Sequence, residues 1–195
     1  MTARLEFFYS FRSPYSYLAA PRAFALPERF DVELVFRGVI PMAMRGQSVP
    51  KAKRLHTLRD AAREAERLRM PFGRLHDPIG SGALRCLVVA EYALDHGRVR
   101  EFVLEAGRAI WSEAVDVSRD PGLRLVCERA GLSWSQCAAV LGNERLMLRV
   151  QANTEALVRR GHWGVPLFVF ESEPFWGQDR IEDLETTLRR VALER

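Results

Sequence analysis

The run Arg4-Leu5-Glu6-Phe7-Phe8-Tyr9 leads straight into Ser10-Phe11-Arg12-Ser13-Pro14-Tyr15-Ser16, and this junction constrains the fold more than any other stretch of the chain. Apolar residues on both faces of 4–9 mark a buried strand. Ser13 then reads as a helix N-cap, because its hydroxyl can accept from a first-turn N–H. Pro14 reads as the first helical residue, where a missing N–H is tolerated. The helix that follows is expected to end or kink at Pro21. A second strand, Val-Glu-Leu-Val-Phe at 32–36, completes a βαβ unit whose right-handed crossover makes the two strands parallel.

From Met42 to about Gln151 the pattern turns helical. Leu55, Leu58, Ala62, Ala65 and Leu68 recur at helical spacing and predict one apolar face. A more apolar helix ends at Gly97, and Asp120 caps another with Pro121 at its first position. Ser133 and Gln136 are spaced as a capping box. Strand signals return only at 165–172 and 173–177, before a closing helix over 179–193. The order βαβ, helices, ββα is the outline of a thioredoxin-like fold. The expected fold is therefore α/β, with a thioredoxin-like domain formed by 1–41 and 152–195. A large all-helical domain, 42–151, is inserted between its βαβ and ββα halves.

Several function classes fall away. Net charge is +4, too small to argue for nucleic acid. The charge is uneven, with nine basic residues against three acidic between Arg45 and Arg74. That local field suits a small anion as well as a polyanion. Cys86, Cys127 and Cys137 are odd in number and contain no Cys-x-x-Cys pair, which argues for a reducing compartment rather than a disulfide framework. Ser10 and Arg12 interrupt the N-terminal apolar run, so no signal peptide is read there, and no stretch approaches a membrane span. A cytoplasmic protein without membrane or nucleic-acid partners is expected. The four histidines lack metal-ligand spacing, and no Gly-x-Ser-x-Gly elbow or Walker glycine loop occurs.

What remains is the strand-to-helix turn. First-turn N–H groups and the helix dipole favour negative charge at Ser13. Ser13 and Ser16 stand at the spacing of a dithiol pair but are not cysteines, so disulfide exchange is excluded at this place. A hydroxyl there can instead donate a hydrogen bond to a thiolate supplied by another molecule.

Three stretches carry a resemblance: "FYSFRSPYSYLA" at 8–19, "WGVPLFVF" at 163–170 and "FWGQDRIEDLE" at 175–185. Together they resemble the 2-hydroxychromene-2-carboxylate isomerase family, which is related to kappa-class glutathione transferases and DsbA-like proteins. Stretches of the helical region resemble the family as well, so the likeness spans nearly the whole chain. It implies glutathione as cofactor and a hydrophobic aromatic or 2-oxo acid substrate, isomerised by reversible addition of the thiolate. It implies Ser13 as the catalytic thiolate partner, with Pro14, Tyr15 and Ser16 beside it in the binding turn. Val165-Pro166 would be a cis-proline dipeptide pairing with the tripeptide backbone, and Gln178 and Asp179 would hold the γ-glutamyl end. Lys53 matches the family's basic residue in the helical segment. His56 stands where relatives often have Tyr, and Gly46-Gln47-Ser48 where some carry Asn before a proline. Relatives also imply a homodimer.

Plainer readings stand beside these. Ser13-Pro14 is also an ordinary helix start, Val165-Pro166 a trans turn before a strand, and Lys53 part of a solvated helix face. A kappa-like transferase, a thiol-disulfide protein and a non-catalytic scaffold are the alternative functions.

Overall fold

The aromatic run becomes strand β1 (Ala3–Tyr9), and Pro14–Arg29 forms helix α1, capped by Ser13. In the computed structural model, which describes residues 2–47, 50–191 and 193, α1 leads into strand β2 (Val32–Gly38). β1 and β2 are parallel, with Phe7 opposite Phe36. The helix runs on through Pro21 and Pro27, so it does not end at Pro21. Pro21 lies on the exposed face, where water can meet the carbonyl left without a donor. Tyr17, Leu18, Ala20, Ala23 and Phe24 are buried around it. Burial on three sides outweighs one missing hydrogen bond.

A short 3-10 turn, Met42–Arg45, precedes helix α2 (Lys51–Arg67). Of the apolar face that its spacing suggested, Ala65 is buried and Leu58 and Leu68 pack against the core, whereas Ala61 is buried in place of Ala62, and Leu55 is 48% exposed. Alanines let α2 approach α1 closely, which leaves its first two turns outside the core. Helices α3 (Ser81–Asp95), α4 (Val99–Trp111), α5 (Asp120–Arg129), α6 (Trp134–Val140) and α7 (Glu144–Arg159) follow. The capping box at α6 does not form. Ser133 Oγ pairs with Ser135 Oγ at 2.9 Å, and Gln136 Oε1 accepts from the Tyr92 hydroxyl at 3.0 Å. Helix α7 is capped instead by Asn143, whose Oδ1 accepts from Leu146 N–H.

Strands β3 (Leu167–Phe170) and β4 (Glu173–Trp176) complete a sheet of order β2-β1-β3-β4, with β3 antiparallel to both neighbours. β3 is shorter than the sequence signal because Glu171 and Ser172 turn the chain with positive φ. A 3-10 turn, Gln178–Arg180, leads to helix α8 (Ile181–Arg190), which starts two residues later than expected.

The helical segment does not have a core of its own. One cluster of buried side chains runs from Phe7, Phe36 and Phe168 on the sheet through Tyr9, Phe11 and Phe102 to Cys127 and Cys137. The boundary drawn between 151 and 152 falls inside α7, which packs on both α3 and β2. On the opposite face of the sheet Phe8, Leu167 and Val169 pack beneath Leu157 of α7. The three cysteines are buried and unbridged.

The contact of α4 with α1 depends on Gly107. A Cβ there would lie 2.8 Å from Tyr17 Cδ2 and 3.4 Å from the Tyr9 hydroxyl oxygen. The Tyr17 ring cannot swing aside freely, because its hydroxyl donates to the Pro71 carbonyl at 2.7 Å. Gly107→Ala is expected to lower stability by about 1.5 kcal/mol through overpacking, despite alanine's better helix propensity. Thermal unfolding checks this, and a raised Tm would show that the ring yields without cost.

Candidate active site

The chemistry of Ser13 follows from where α1 begins. Its extended backbone (φ −103°, ψ 115°) turns the side chain back over the first turn, so that Oγ accepts from Ser16 N–H at 3.1 Å. The same hydroxyl donates across to the Val165 carbonyl, also at 3.1 Å. Tyr17 N–H bonds the Ser13 carbonyl and Pro14 has no N–H, which leaves Tyr15 N–H without an intrahelical partner. The Val165-Pro166 peptide is cis, the geometry that the resemblance implied. Ser13, Val165 and Pro166 thus meet at the floor of a cleft of about 860 Å³. That volume is ample for a ligand of small-molecule or tripeptide size.

One rim is acidic. Asp60, Glu64 and Asp179 line the cleft, and the Tyr15 hydroxyl donates to Asp60 Oδ2 at 2.6 Å. Burial, then the Asp60 hydrogen bond, hold the Tyr15 phenol protonated well above its ordinary range. Basic residues line the cleft as well: Lys53, Arg54 and Arg45. Lys53 is exposed, and its ammonium sits 5.9 Å from the centre of the Trp163 ring. Arg12, next to Ser13, is clamped by Asp77 through bonds of 2.7 and 2.8 Å. Trp111 closes the back of the cleft, its ring stacked on Phe72 and its N–H given to the Phe11 carbonyl.

Most residues singled out in the sequence therefore converge: Ser13, Pro14, Tyr15, Lys53, Val165, Pro166, Gln178 and Asp179 all line this cleft. Ser16 does not. It is 0% exposed, and its Oγ accepts from Ser10 N–H inside the protein. Ser16 lies in the first turn of α1 and packs under the chain at Ser10, whereas Ser13, the N-cap, stays at the cleft. Gln178 lines the cleft but is 5% exposed with both ends of its amide engaged. Its Nε2 donates to Glu64 Oε2 at 3.0 Å, and its Oε1 accepts from Arg22, which also donates to the Gln178 carbonyl at 2.8 Å. Gln178 ties α1 to α2 rather than offering a free amide. Asp179, beside it, keeps an exposed carboxylate near Arg180. Ser48 lies outside the described residues.

Sequence reasoning missed Trp176 and the bridges Arg12–Asp77 and Gln178–Glu64. The partners stand 65 and 114 residues apart, and no local spacing signals such a pair. Among the described residues no cluster of three potential metal ligands occurs, and no helix is long and apolar enough to cross a membrane.

A thioredoxin-like sheet with a cis-proline loop facing a helix start defines the class. The chain belongs to the DSBA-like thioredoxin domain family, whose model matches residues 4–189. Within it, the chain is similar to enzymes named 2-hydroxychromene-2-carboxylate isomerase. It is 29% identical over 199 residues to that of Sphingobium xenophagum, covering 96% of this chain and 99% of the relative. It is 24% identical over 193 residues to that of Pseudomonas putida, covering 96% and 95%. Among solved structures, a 2-hydroxychromene-2-carboxylate isomerase superposes with a TM-score of 0.81 at 22% identity, covering 97% of this chain and 96% of the other. The cytosolic disulfide reductase DsbM from Pseudomonas aeruginosa, solved with GSH, gives 0.68 at 22% identity, covering 95% and 99%.

Proposed function

We propose that this chain is a glutathione-dependent isomerase of a hydrophobic 2-oxo acid or a related conjugated electrophile. The observation that carries the reading is the Ser13 hydroxyl, held at a helix N-terminus against the Val165 carbonyl in a family where that place belongs to a thiol. The names of the curated relatives point the same way. Bound there, glutathione would supply a thiolate that adds reversibly to the conjugated double bond, so that rotation and release return the isomer and the free thiol.

The residues fit such a ligand. Ser13 donates to a neutral carbonyl in the free protein, and a thiolate beside it is the stronger acceptor. A hydrogen bond to a charged group contributes roughly 1.5–3 kcal/mol, and a helix N-terminus about 0.3–1. At about 1.4 kcal/mol per pKa unit, the two lower a thiol of about 8.5 by roughly 1–3 units, to neutrality or somewhat below. The Val165 carbonyl, released by Ser13, becomes free to accept from a peptide N–H. Asp179 suits the γ-glutamyl ammonium, with Gln178 positioning the turn on which it sits. Lys53 and Arg54, which line the same cleft, suit the carboxylate of the substrate.

The test is calorimetric titration with glutathione, followed by thiolate absorbance of the bound ligand across pH. Micromolar to low-millimolar binding with a thiolate signal near neutral pH is expected. Absence of binding would refute the reading and leave Ser13 as a helix cap. Turnover of insulin disulfides would place the protein among thiol-disulfide enzymes instead.

A further inference from the structure

Trp163 and Trp176 are 44% and 46% exposed, and no other aromatic side chain among the described residues is as open to solvent. Both line the cleft that holds Ser13. Their rings meet edge to face, with centroids 4.9 Å apart and planes at 77°, forming a corner. Large apolar side chains gathered in a concave, polar-rimmed place mark a ligand surface rather than ordinary exposure.

The corner is built rigidly. Arg45 donates to the Trp163 carbonyl at 2.7 Å and to the Ile40 carbonyl at 3.0 Å, pinning the loop to the 3-10 turn. The Trp176 indole lies against the backbone of Gly164. A Cβ at that position would stand 2.8 Å from Trp176 Cζ2 and 2.9 Å from Nε1. His162 meets Trp176 from another side, at 6.0 Å between ring centres. One cation, Lys53, already sits over Trp163.

We infer that this corner is the subsite for the electrophile's ring, and that it selects a flat aryl carboxylate. Two perpendicular indoles let a third planar ring stack on one and meet the edge of the other, an arrangement that a puckered ring cannot match. Lys53 and Arg54 then face the ring's carboxylate. The sulfur position at Ser13 belongs to the same cleft, so ring and thiol are served by different walls. The inference rests on the isomerase reading only for what the bound ring is used for.

Calorimetry with 2-naphthoate and with cyclohexanecarboxylate, which has the same charge but no flat ring, tests this on the full chain. The naphthoate is expected to bind in preference, with Trp163→Ala and Trp176→Ala each weakening it roughly tenfold. Gly164→Ala keeps both indoles but displaces Trp176, and is expected to weaken naphthoate as well. Saturating glutathione is expected to leave naphthoate affinity unchanged. Equal binding of the two acids, or tryptophan variants that bind as the native protein does, would overturn the subsite. Competition between glutathione and naphthoate would overturn it too, by giving the corner to the tripeptide. A protein that binds naphthoate selectively but not glutathione would keep this subsite and sink the isomerase reading; the converse would sink the subsite alone.

Discussion

If glutathione is the cofactor as proposed, Ser13→Ala is expected to cut isomerase turnover roughly 10- to 100-fold at neutral pH, the loss of a charge-assisted hydrogen bond of about 1.5–3 kcal/mol. The same hydroxyl caps α1 and reaches the Val165 carbonyl, so the substitution also costs about 1 kcal/mol of stability, or roughly 3 °C in Tm for a chain of this size. A pH profile separates the two effects. Without its donor the bound thiol ionises at higher pH, so the deficit is largest near neutrality and shrinks as the solution becomes alkaline. A cap alone would lower activity by the same factor at every pH. Unchanged turnover at neutral pH, with glutathione still bound, would remove Ser13 from the chemistry.

Glu6→Ala is expected to have the largest effect on stability, about 3 kcal/mol and roughly 6–12 °C in Tm. Glu6 is a buried carboxylate on β1. It receives Arg37 from β2 at 2.7 Å and Arg160, just past the end of α7, at 2.5 Å. From Arg37 the chain of contacts continues through Asn153 to Glu91 on α3, and from Glu91 to Arg149 and Asp95. Removing Glu6 leaves two guanidinium groups at the edge of an apolar layer without their shared anion. Burial pushes the Glu6 carboxyl up, but the hydrogen bonds and charges of Arg37 and Arg160 outweigh it and hold the group below its ordinary value. An acid lowered in this way stabilises the fold fully above its unfolded pKa and loses that contribution as pH falls through the folded one. The Tm gap between native protein and variant is therefore constant near neutral pH and closes in acid. Thermal melts across that range check it, and a gap that widened in acid would contradict the assigned ion pairs.

Much of the site was legible because its signals are local. An N-cap serine followed by proline declares a helix start within one turn of chain, and the physics that places Ser13 at the end of β1 needs no distant partner. The resemblance carried by residues 163–170 and 175–185 placed Val165, Pro166 and Asp179, and the cleft gathers them with Ser13. Helix α2 was foreseen with most of its facing. Periodicity placed Ala65, Leu58 and Leu68 correctly, but the close approach to α1 buries Ala61 and leaves Leu55 outside the core. At Pro21 the helix does not end, because a local rule about a lost donor was overruled by packing that the surrounding helix could not announce.

The order of strands and helices, the polarity of the α1 start, the missing dithiol and the uneven charge were thus determined by the sequence itself, through interactions spanning a few residues. Only the tertiary structure decided that Ser16 faces inward and that Gln178 is consumed between Arg22 and Glu64. It also decided that α7 joins the helices to the sheet and that two tryptophans form a corner over the cleft. The two Gln178 bridges span 156 and 114 residues of chain, and a side chain's neighbours at that range are set by how whole elements pack.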